Sequence, residues 1–184
     1  MLNKALRAGL LASAAASIVL ADSAMASTQG IFGPTSTGSV VINASVPGRV
    51  RISNLSDVTF ANVDPTAVAS NAQNVCVWSN TSTRGYTITA TGSGAANAFT
   101  LASGALPVAP YTVQWAQTSG QTSGTSLTAS SALTGQTSTA INSDCSAGPP
   151  ASASLIVSMS TAVLQSMTAG VTYNGTLTLV VAPE

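Results

Sequence analysis

The strongest constraint on the fold of this chain is an alternation of apolar and polar residues that recurs in short segments. Because successive side chains of a β-strand point to opposite faces, a period of two predicts a strand with one apolar face. The segments that follow it are 40–46, 49–53, 86–91, 111–115, 154–159 and 176–181. Turn signals such as Pro47-Gly48 and Asn174-Gly175 separate them. The pattern therefore predicts an all-β domain built as a β-sandwich.

Two stretches fall outside this alternation. Residues 117–140 are rich in Ser, Thr, Gly and Gln, with Leu127 and Leu133 embedded among them, and we interpret them as a hairpin with long loops. Residues 162–167 are predicted to form a short helical turn.

Residues 1–26 have the order of a secretory signal peptide. Lys4 and Arg7 form a positive region, residues 10–20 form an apolar run, and Ala24-Met25-Ala26 supplies the small residues that a signal peptidase reads. The apolar run is about 11 residues long, whereas a membrane-spanning helix needs about 20. We therefore predict cleavage after Ala26 and export from the cytoplasm.

The charges that remain after residue 26 argue against nucleic-acid binding and against catalysis. The chain has no His, and the predicted mature part has no Lys and carries its positive charge on Arg49, Arg51 and Arg84. Nucleic-acid binding needs a basic patch, which this set does not provide. General acid–base catalysis most often uses His, and a Ser nucleophile needs a nearby base. The sequence therefore predicts a protein that is not an enzyme and uses no cofactor.

Asp57 and Asp64 form the most obvious pair of carboxylates for an acid–base dyad. Asp57 follows Asn-Leu-Ser and Asp64 precedes Pro65, and both contexts favour turns. We therefore interpret both as turn residues. With two Cys and no His, the chain offers too few ligands for a usual zinc site. The acids also lack calcium-loop spacing, so no metal site is predicted.

Cys76 and Cys145 are the two cysteines of the chain. Export to an oxidising compartment favours a disulfide between them, which would close a loop of about 70 residues. The alternative is a redox-active thiol, which would need a lowered pKa. No Cys-x-x-Cys motif supports that alternative, and we predict a structural disulfide.

Three stretches together resemble subunits of bacterial chaperone–usher pili. They are Gly-Ser-Val-Val-Ile-Asn-Ala-Ser-Val-Pro at 38–47, Cys-Val-Trp at 76–78 followed by Tyr-Thr-Ile-Thr-Ala at 86–90, and Ala-Gly-Val-Thr-Tyr-Asn-Gly-Thr-Leu-Thr-Leu-Val-Val at 169–181. The layout is similar to that of alpha-fimbrial pilins and of the archaic Csu-like, spore-coat-U-like pilins. The resemblance implies an incomplete immunoglobulin-like sandwich over residues 49–184, preceded by an extension at 27–48 that carries a donor strand.

Donor-strand exchange is the mechanism that this resemblance implies. A sandwich that lacks one strand exposes an apolar groove, and the next subunit fills it with its own N-terminal strand. Val40, Ile42, Ala44 and Val46 are the predicted pocket-filling residues, because the opposite face would place Asn43 and Ser45 in the groove. The predicted flank of the groove is the C-terminal strand, whose inward residues are Leu177, Leu179 and Val181. In the alternative, residues 39–46 form the first strand of their own sandwich.

The resemblance implies a structural subunit of a fimbrium at the cell surface that supports attachment or biofilm formation. Its implied partners are identical or related subunits in a homopolymer, a periplasmic chaperone and an outer-membrane usher. The alternative is a secreted or tip-located adhesin that binds carbohydrate or another surface. Four aromatic residues could stack on sugars or fill the core: Trp78, Tyr86, Tyr111 and Trp115.

Overall fold

The computed structural model describes residues 27–184, so the predicted signal peptide lies outside the described residues. The chain divides into two units at the bond between Ser45 and Val46. Within the described part of the first unit, Thr28 and Ser39 form an isolated antiparallel bridge. The second unit, Val46–Glu184, contains every named strand and helix of the described residues.

Ten strands form the framework of the second unit. In chain order they are β1 (Val50–Ser53), β2 (Ala69–Ser79), β3 (Gly85–Gly92), β4 (Thr100–Leu101), β5 (Ala109–Pro110), β6 (Thr112–Ala116), β7 (Thr125–Ser126), β8 (Ala132–Thr137), β9 (Ala153–Met159) and β10 (Leu177–Pro183). A 3-10 turn covers Ala95–Asn97 and a short helix, α1, covers Thr161–Ser166. The short helix agrees with the turn expected at 162–167.

The strands form antiparallel sheets. One sheet has five strands in the order β1-β2-β9-β6-β7, and another has three in the order β10-β3-β8, while β4 and β5 form a separate pair. A single core cluster combines side chains from both larger sheets, including Val77, Val113 and Val157 from the first and Tyr86 and Ile88 from the second. The all-β prediction is confirmed, and two sheets that share a core have the architecture of a β-sandwich.

Strand β3 illustrates why the period of two identified the strands. Its apolar residues Tyr86, Ile88 and Ala90 are fully buried, while the intervening threonines lie on the other face. Tyr86 packs edge-on against Trp115 of β6, with ring centroids 6.4 Å apart, and the Trp115 indole N–H donates to the Tyr86 hydroxyl at 3.1 Å. Burial raises the pKa of Tyr86 to about 12. This pair therefore joins the two sheets through both packing and a hydrogen bond.

The expectation that 154–159 forms a half-buried strand was wrong in part. Strand β9 occupies this stretch, but Ser154 and Ile156, on the face predicted to be exposed, are buried. The loop between β6 and β7 covers Ser154 on this face. The Ser154 hydroxyl donates to the Thr118 carbonyl at 3.0 Å and accepts from the Gln121 N–H at 3.0 Å. A central strand covered on both faces does not need a polar side.

The interpretation of 117–140 as one hairpin was also wrong. Strand β7 pairs with β6 in the five-stranded sheet, whereas β8 pairs with β3 in the three-stranded sheet. The segment therefore crosses from one sheet to the other. Leu127 lies at the crossing and is buried in the core, and its N–H donates to the Val113 carbonyl at 2.9 Å. Burial of Leu127 between the layers requires a crossover rather than a hairpin within one sheet.

The longest strand, β2, carries little apolar alternation at its start, where the sequence reads Ala-Ser-Asn-Ala-Gln-Asn. It is stabilised by pairing with β9 from Ala69 to Val75 and with β1 from Cys76 to Ser79. The helix α1 begins after Ser160, whose hydroxyl accepts a hydrogen bond from the Val163 N–H. The start of β2 could not be predicted from hydrophobic periodicity, because it depends on hydrogen bonds to a distant strand.

Candidate functional site: an open sheet edge and an apolar groove

Strand β10 lies at the edge of the three-stranded sheet and pairs with β3 along its whole length. The Glu184 N–H donates to the Gly85 carbonyl at 3.1 Å, which continues the same register. In antiparallel pairing, residues alternate between pointing their backbone groups at the partner strand and away from it. Counting back from Glu184, the residues that point their N–H and C=O groups away from β3 are Leu177, Leu179 and Val181.

The same three residues turn their side chains inward. Leu177, Leu179 and Val181 are half-buried and pack against the core, whereas Thr178 and Val180 between them are exposed. This is the orientation expected from the sequence for the C-terminal strand. A strand added at this edge would find backbone partners and apolar side chains at the same three positions.

Regular pairing along the free edge of β10 ends at Pro183. This residue occupies the next outward-pointing position of β10, and proline has no N–H to donate. The pairing with β3 is unaffected, because that partner bonds to the alternate residues. A strand added at the free edge therefore loses a backbone donor at Pro183, which limits regular pairing to the stretch before it.

An apolar groove lies beside the free edge. Its cavity of about 570 Å³ is lined by Leu177 and Leu179 of β10, by Leu155 and Val157 of β9, and by residues of the 55–60 segment. A second cavity of about 960 Å³ continues it past the start of β10. The side chains and the glycine common to both cavities are Val58, Phe60, Leu101, Met159 and Gly175. The two cavities therefore form one groove, which begins between β10 and the 55–60 segment and continues beyond the start of β10.

The wall opposite β10 has no strand of its own and is held by a side chain. Gln73 of β2 accepts from the Ser56 N–H at 2.7 Å through its amide oxygen. Its amide nitrogen donates to the Ser56 carbonyl at 3.0 Å. The Gln73 side chain thus bonds to Ser56 as a neighbouring strand would, and it fixes the segment that contains Val58 and Phe60 along the groove.

The chain just before β1 approaches the end of β10. A Cβ atom placed on Gly48 would lie 3.4 Å from Cγ of Pro183. The Asn80 N–H donates to the Arg49 carbonyl at 3.1 Å, so by the same alternation Val50 and Ile52 of β1 point their backbone groups away from β2. Near this approach, β1 and β10 therefore each carry backbone groups that point away from their own sheet partner.

A glycine two residues before β10, Gly175, lies where the two cavities join. A Cβ atom at Gly175 would lie 2.8 Å from the carbonyl oxygen of Thr100, closer than such contacts occur. Only glycine allows this close approach. The backbone at Gly175 remains near the floor of the groove as a consequence.

The predicted donor segment is exposed and, within the described residues, pairs with no strand between 40 and 49. Exposed fractions of 72%, 86% and 85% are found for Val40, Ile42 and Val46, and Ala44 is exposed as well. Ser39 makes the bridge to Thr28. The donor segment therefore presents its alternating apolar residues unpaired, and the prediction that they fill a groove stays a prediction.

Three of the four aromatic residues that could have stacked on sugars are buried. Tyr86, Tyr111 and Trp115 belong to the core, and burial raises the pKa of the Tyr111 hydroxyl. Trp78 is half-buried and packs against the cluster that contains the two cysteines. A stacking surface would therefore have to rely on Trp78 alone among these four.

The disulfide between Cys76 and Cys145 is confirmed, with Cα atoms 6.0 Å apart and a sequence separation of 69. It links β2 to the loop before β9. Both cysteines are buried, together with Ala140. The bond therefore anchors a segment that is otherwise irregular.

Asp64 and Asp144 serve turns, whereas the turn predicted at Asp57 was wrong, because this residue lies outside any turn and lines the groove. The Asp64 carboxylate accepts from the Thr66 hydroxyl at 2.7 Å and from the Thr66 N–H at 2.8 Å, and these hydrogen bonds lower the pKa of Asp64. Asp144 is held in the same way by Ser146, and its pKa is lowered too. Within residues 27–184, no group of three or more His, Cys, Asp and Glu is placed to hold a metal ion.

The groove contains residues that sequence reasoning had not singled out. Gln73, Val58 and Phe60 lie in stretches without alternation, and tertiary pairing alone brings them beside β10. No helix in the described part of the chain is both long and apolar enough to cross a membrane. Neither a scan against protein-family models nor a search of curated proteins found a match for this chain.

Proposed function

We propose that this chain is a structural subunit of an extracellular fibre of the chaperone–usher type, assembled by donor-strand exchange. One observation carries the proposal: the free edge of β10 borders an open apolar groove, while an apolar alternating segment elsewhere in the same chain is exposed. Exposed edges and apolar grooves drive association unless another strand covers them. A second copy of the chain offers a strand of suitable pattern.

The dimensions of the two parts agree. At about 3.3 Å per residue, the segment 39–46 spans roughly 26 Å when extended, and β10 spans roughly 23 Å. A donor residue placed opposite Leu179 has its side chain on the same face as Leu179, because directly opposed residues share a face. Inward-facing Val40, Ile42, Ala44 and Val46 would then bond to the backbone of the inward-facing residues of β10. The register that the free edge offers therefore suits the predicted pocket-filling face.

The direction of the inserted strand follows from where the donor chain joins its own sandwich. We name the end of the sandwich that holds Gly48 and Pro183 the exit pole, and the end that holds Gly175 and Met159 the far pole. A strand inserted parallel to β10 would bring two exit poles together, and such a contact between identical surfaces closes into a dimer. An antiparallel strand brings the exit pole of one subunit to the far pole of the next, and this contact repeats without closing. A fibre therefore requires antiparallel insertion.

The same edge explains the partners in this proposal. Before assembly the groove needs a temporary strand, which a periplasmic chaperone would supply, and an outer-membrane usher would then exchange it for the donor segment. The predicted signal peptide is consistent with passage through the periplasm to the cell surface. The fibre would support surface attachment or biofilm formation. This function requires no catalytic group.

Deletion of residues 39–46 tests the proposal. Electron microscopy of cells that produce the full chain is expected to show fibres that an antibody against the chain labels. Cells that produce the deletion variant are expected to export a folded subunit bound to its chaperone and to form no fibres. A matched control deletes residues 29–36, which lie in the same extension but outside the donor segment.

Two results would contradict the proposal. Fibres that persist in the deletion variant would show that residues 39–46 are not the connecting strand. A deletion variant that is degraded even when the chaperone is co-produced would indicate that these residues stabilise their own sandwich. In that case a self-complete β-sandwich, such as the adhesin considered from the sequence, becomes the better interpretation.

A further inference from the structure

The junction between two consecutive subunits would be short. This inference rests on the proposed function. Val46 is the last donor residue, and β1 of the donating subunit begins at Val50. The three intervening residues, 47–49, span at most about 10 Å. The exit pole of the donating subunit must therefore lie close to the far pole of the accepting subunit, and Arg49 must lie between them.

Arg49 is fixed to the exit pole through its backbone. Its N–H donates to the Asn80 side-chain oxygen at 2.6 Å, and its carbonyl accepts from the Asn80 N–H at 3.1 Å. The Asn80 amide nitrogen also donates to the Pro47 carbonyl at 3.0 Å. Asn80 thus holds both residues that flank Gly48, while the Arg49 side chain is exposed. The guanidinium is available at the surface from which the donor segment leaves.

An acidic residue stands at the far pole. Val63 and Pro65 line the cavity that continues the groove past Gly175, and Asp64 lies between them. Its side chain is exposed, and Thr66 orients the carboxylate through two hydrogen bonds. These hydrogen bonds also keep the carboxyl ionised, because they lower its pKa. The far pole therefore carries a negative charge beside the end of the groove that Val46 would reach.

We infer that Arg49 of each donating subunit forms an ion pair with Asp64 of the accepting subunit, across the junction of the fibre. The other charges are less well placed. Asp57 lines the middle of the groove rather than its end. Arg51 acts on Asp144 in its own subunit, where its charge lowers the pKa of that carboxyl less than the hydrogen bonds from Ser146 do. Arg84 precedes Gly85, which bonds to Glu184 at the exit pole, but Arg84, unlike Arg49, does not belong to the short link between the donor segment and β1.

The pair would also select the direction of assembly. Opposite charges meet when an exit pole contacts a far pole, whereas two Arg49 side chains meet when two exit poles contact. Like charges at a contact disfavour it. The arrangement therefore favours the open fibre over the closed dimer that parallel insertion would form. Glu184 also lies at the exit pole, but its side-chain carboxylate accepts from the Gly135 N–H of its own subunit at 2.7 Å, so Arg49 is the charge that the short link brings to the junction.

A charge-reversal experiment on fibres of the full chain tests the pair. Arg49→Asp and Asp64→Arg are each expected to speed fibre dissociation in urea at 50 mM NaCl by about two- to fivefold, the size expected for one exposed ion pair. The double reversal is expected to restore the wild-type rate. At 500 mM NaCl the single variants are expected to approach the wild type, because salt screens exposed charges.

Two controls separate the pair from the turn that Asp64 stabilises. Asp64→Asn keeps an acceptor for Thr66 and removes the charge, so it should lose the salt dependence without unfolding the subunit. Arg49→Asp combined with Asp144→Arg has the same net charge as the double reversal and should not restore stability. Fibres whose single variants dissociate like the wild type, or a double reversal no better than the single variants, would overturn the pair. Absence of wild-type fibres would instead overturn the proposed function.

Discussion

Replacement of Ile42 by Asp is the sharpest test of how the donor segment acts. Ile42 is 86% exposed in the described chain, so the substitution should leave the fold of the isolated subunit almost unchanged. In the proposed fibre, however, the same side chain enters the apolar groove of the next subunit. The effect of the change should therefore appear in assembly and be nearly absent from the stability of the subunit.

The magnitude follows from the burial of one side chain. Full burial of an isoleucine side chain is worth about 1.5–3 kcal/mol, and Asp loses that contribution. An unpaired carboxylate in an apolar groove costs several kcal/mol more, or the group takes up a proton instead. A total loss of at least about 4 kcal/mol corresponds to roughly a thousandfold weaker strand insertion, since about 1.4 kcal/mol is a factor of ten.

The neighbouring residue provides a matched control. Asn43→Asp adds the same charge one position along, on the face that points away from the groove. Surface substitutions of this kind usually change stability by less than about 0.5 kcal/mol. Cells that produce the Ile42 variant should accumulate chaperone-bound subunits without fibres. Cells that produce the Asn43 variant should form fibres in normal number, counted by electron microscopy.

A peptide assay gives the same comparison in solution. A peptide that spans residues 39–47 should raise the melting temperature of the subunit that lacks this segment, because a ligand of the folded state stabilises it. The Ile42→Asp peptide should lose this effect, and the Asn43→Asp peptide should keep it. Equal behaviour of the two variant peptides, or equal numbers of fibres from the two variant chains, would refute the assigned groove-facing side.

Three further predictions concern the sandwich itself. Replacement of Cys76 and Cys145 by Ala should lower the free energy of unfolding by about 4 kcal/mol and the melting temperature by about 8–16 °C; a shift below 2 °C in calorimetry would contradict this. Leu179→Asp should abolish accumulation in the periplasm, because it places a charge against the core, whereas Val180→Asp on the exposed face should accumulate normally; equal immunoblot levels would contradict it. The pKa of Asp64 is lowered from 3.8 in the folded state, so the ionised carboxylate stabilises the fold above that pH and loses this contribution as the pH falls below it. Asp64→Asn should therefore flatten the acid side of a plot of melting temperature against pH. An unchanged acid side would contradict this prediction.

The strands that the sequence identified are those whose local pattern and tertiary environment agree. Strands β3, β6 and β10 each have one face on the core and another facing outward or only partly covered, so their alternation records the environment directly. The pairing of Cys76 with Cys145 could equally be predicted from the sequence, because the chain contains no other cysteine. The turn roles of Asp64 and Asp144 follow from short-range hydrogen bonds within two residues.

Features that depend on distant parts of the chain could not be predicted from the sequence. The start of β2 is polar and becomes a strand through its pairing with β9. The 117–140 region crosses between the sheets because Leu127 is buried in the core. The groove is formed by β10, β9 and the 55–60 segment, which are far apart in the sequence. Alternation describes the two faces of a strand and contains no information about which strand lies beside it.

The sequence pattern was sufficient to predict that this chain is all-β, that its cysteines pair and that its C-terminal strand has an apolar face. Which sheet edge stays unpaired depends on the tertiary structure. Leu177, Leu179 and Val181 leave their outward backbone groups without a strand partner in the described chain, because β3 bonds to the alternate residues. Side-chain patterning fixes the face that meets the core, whereas backbone pairing is fixed by the topology that brings strands together.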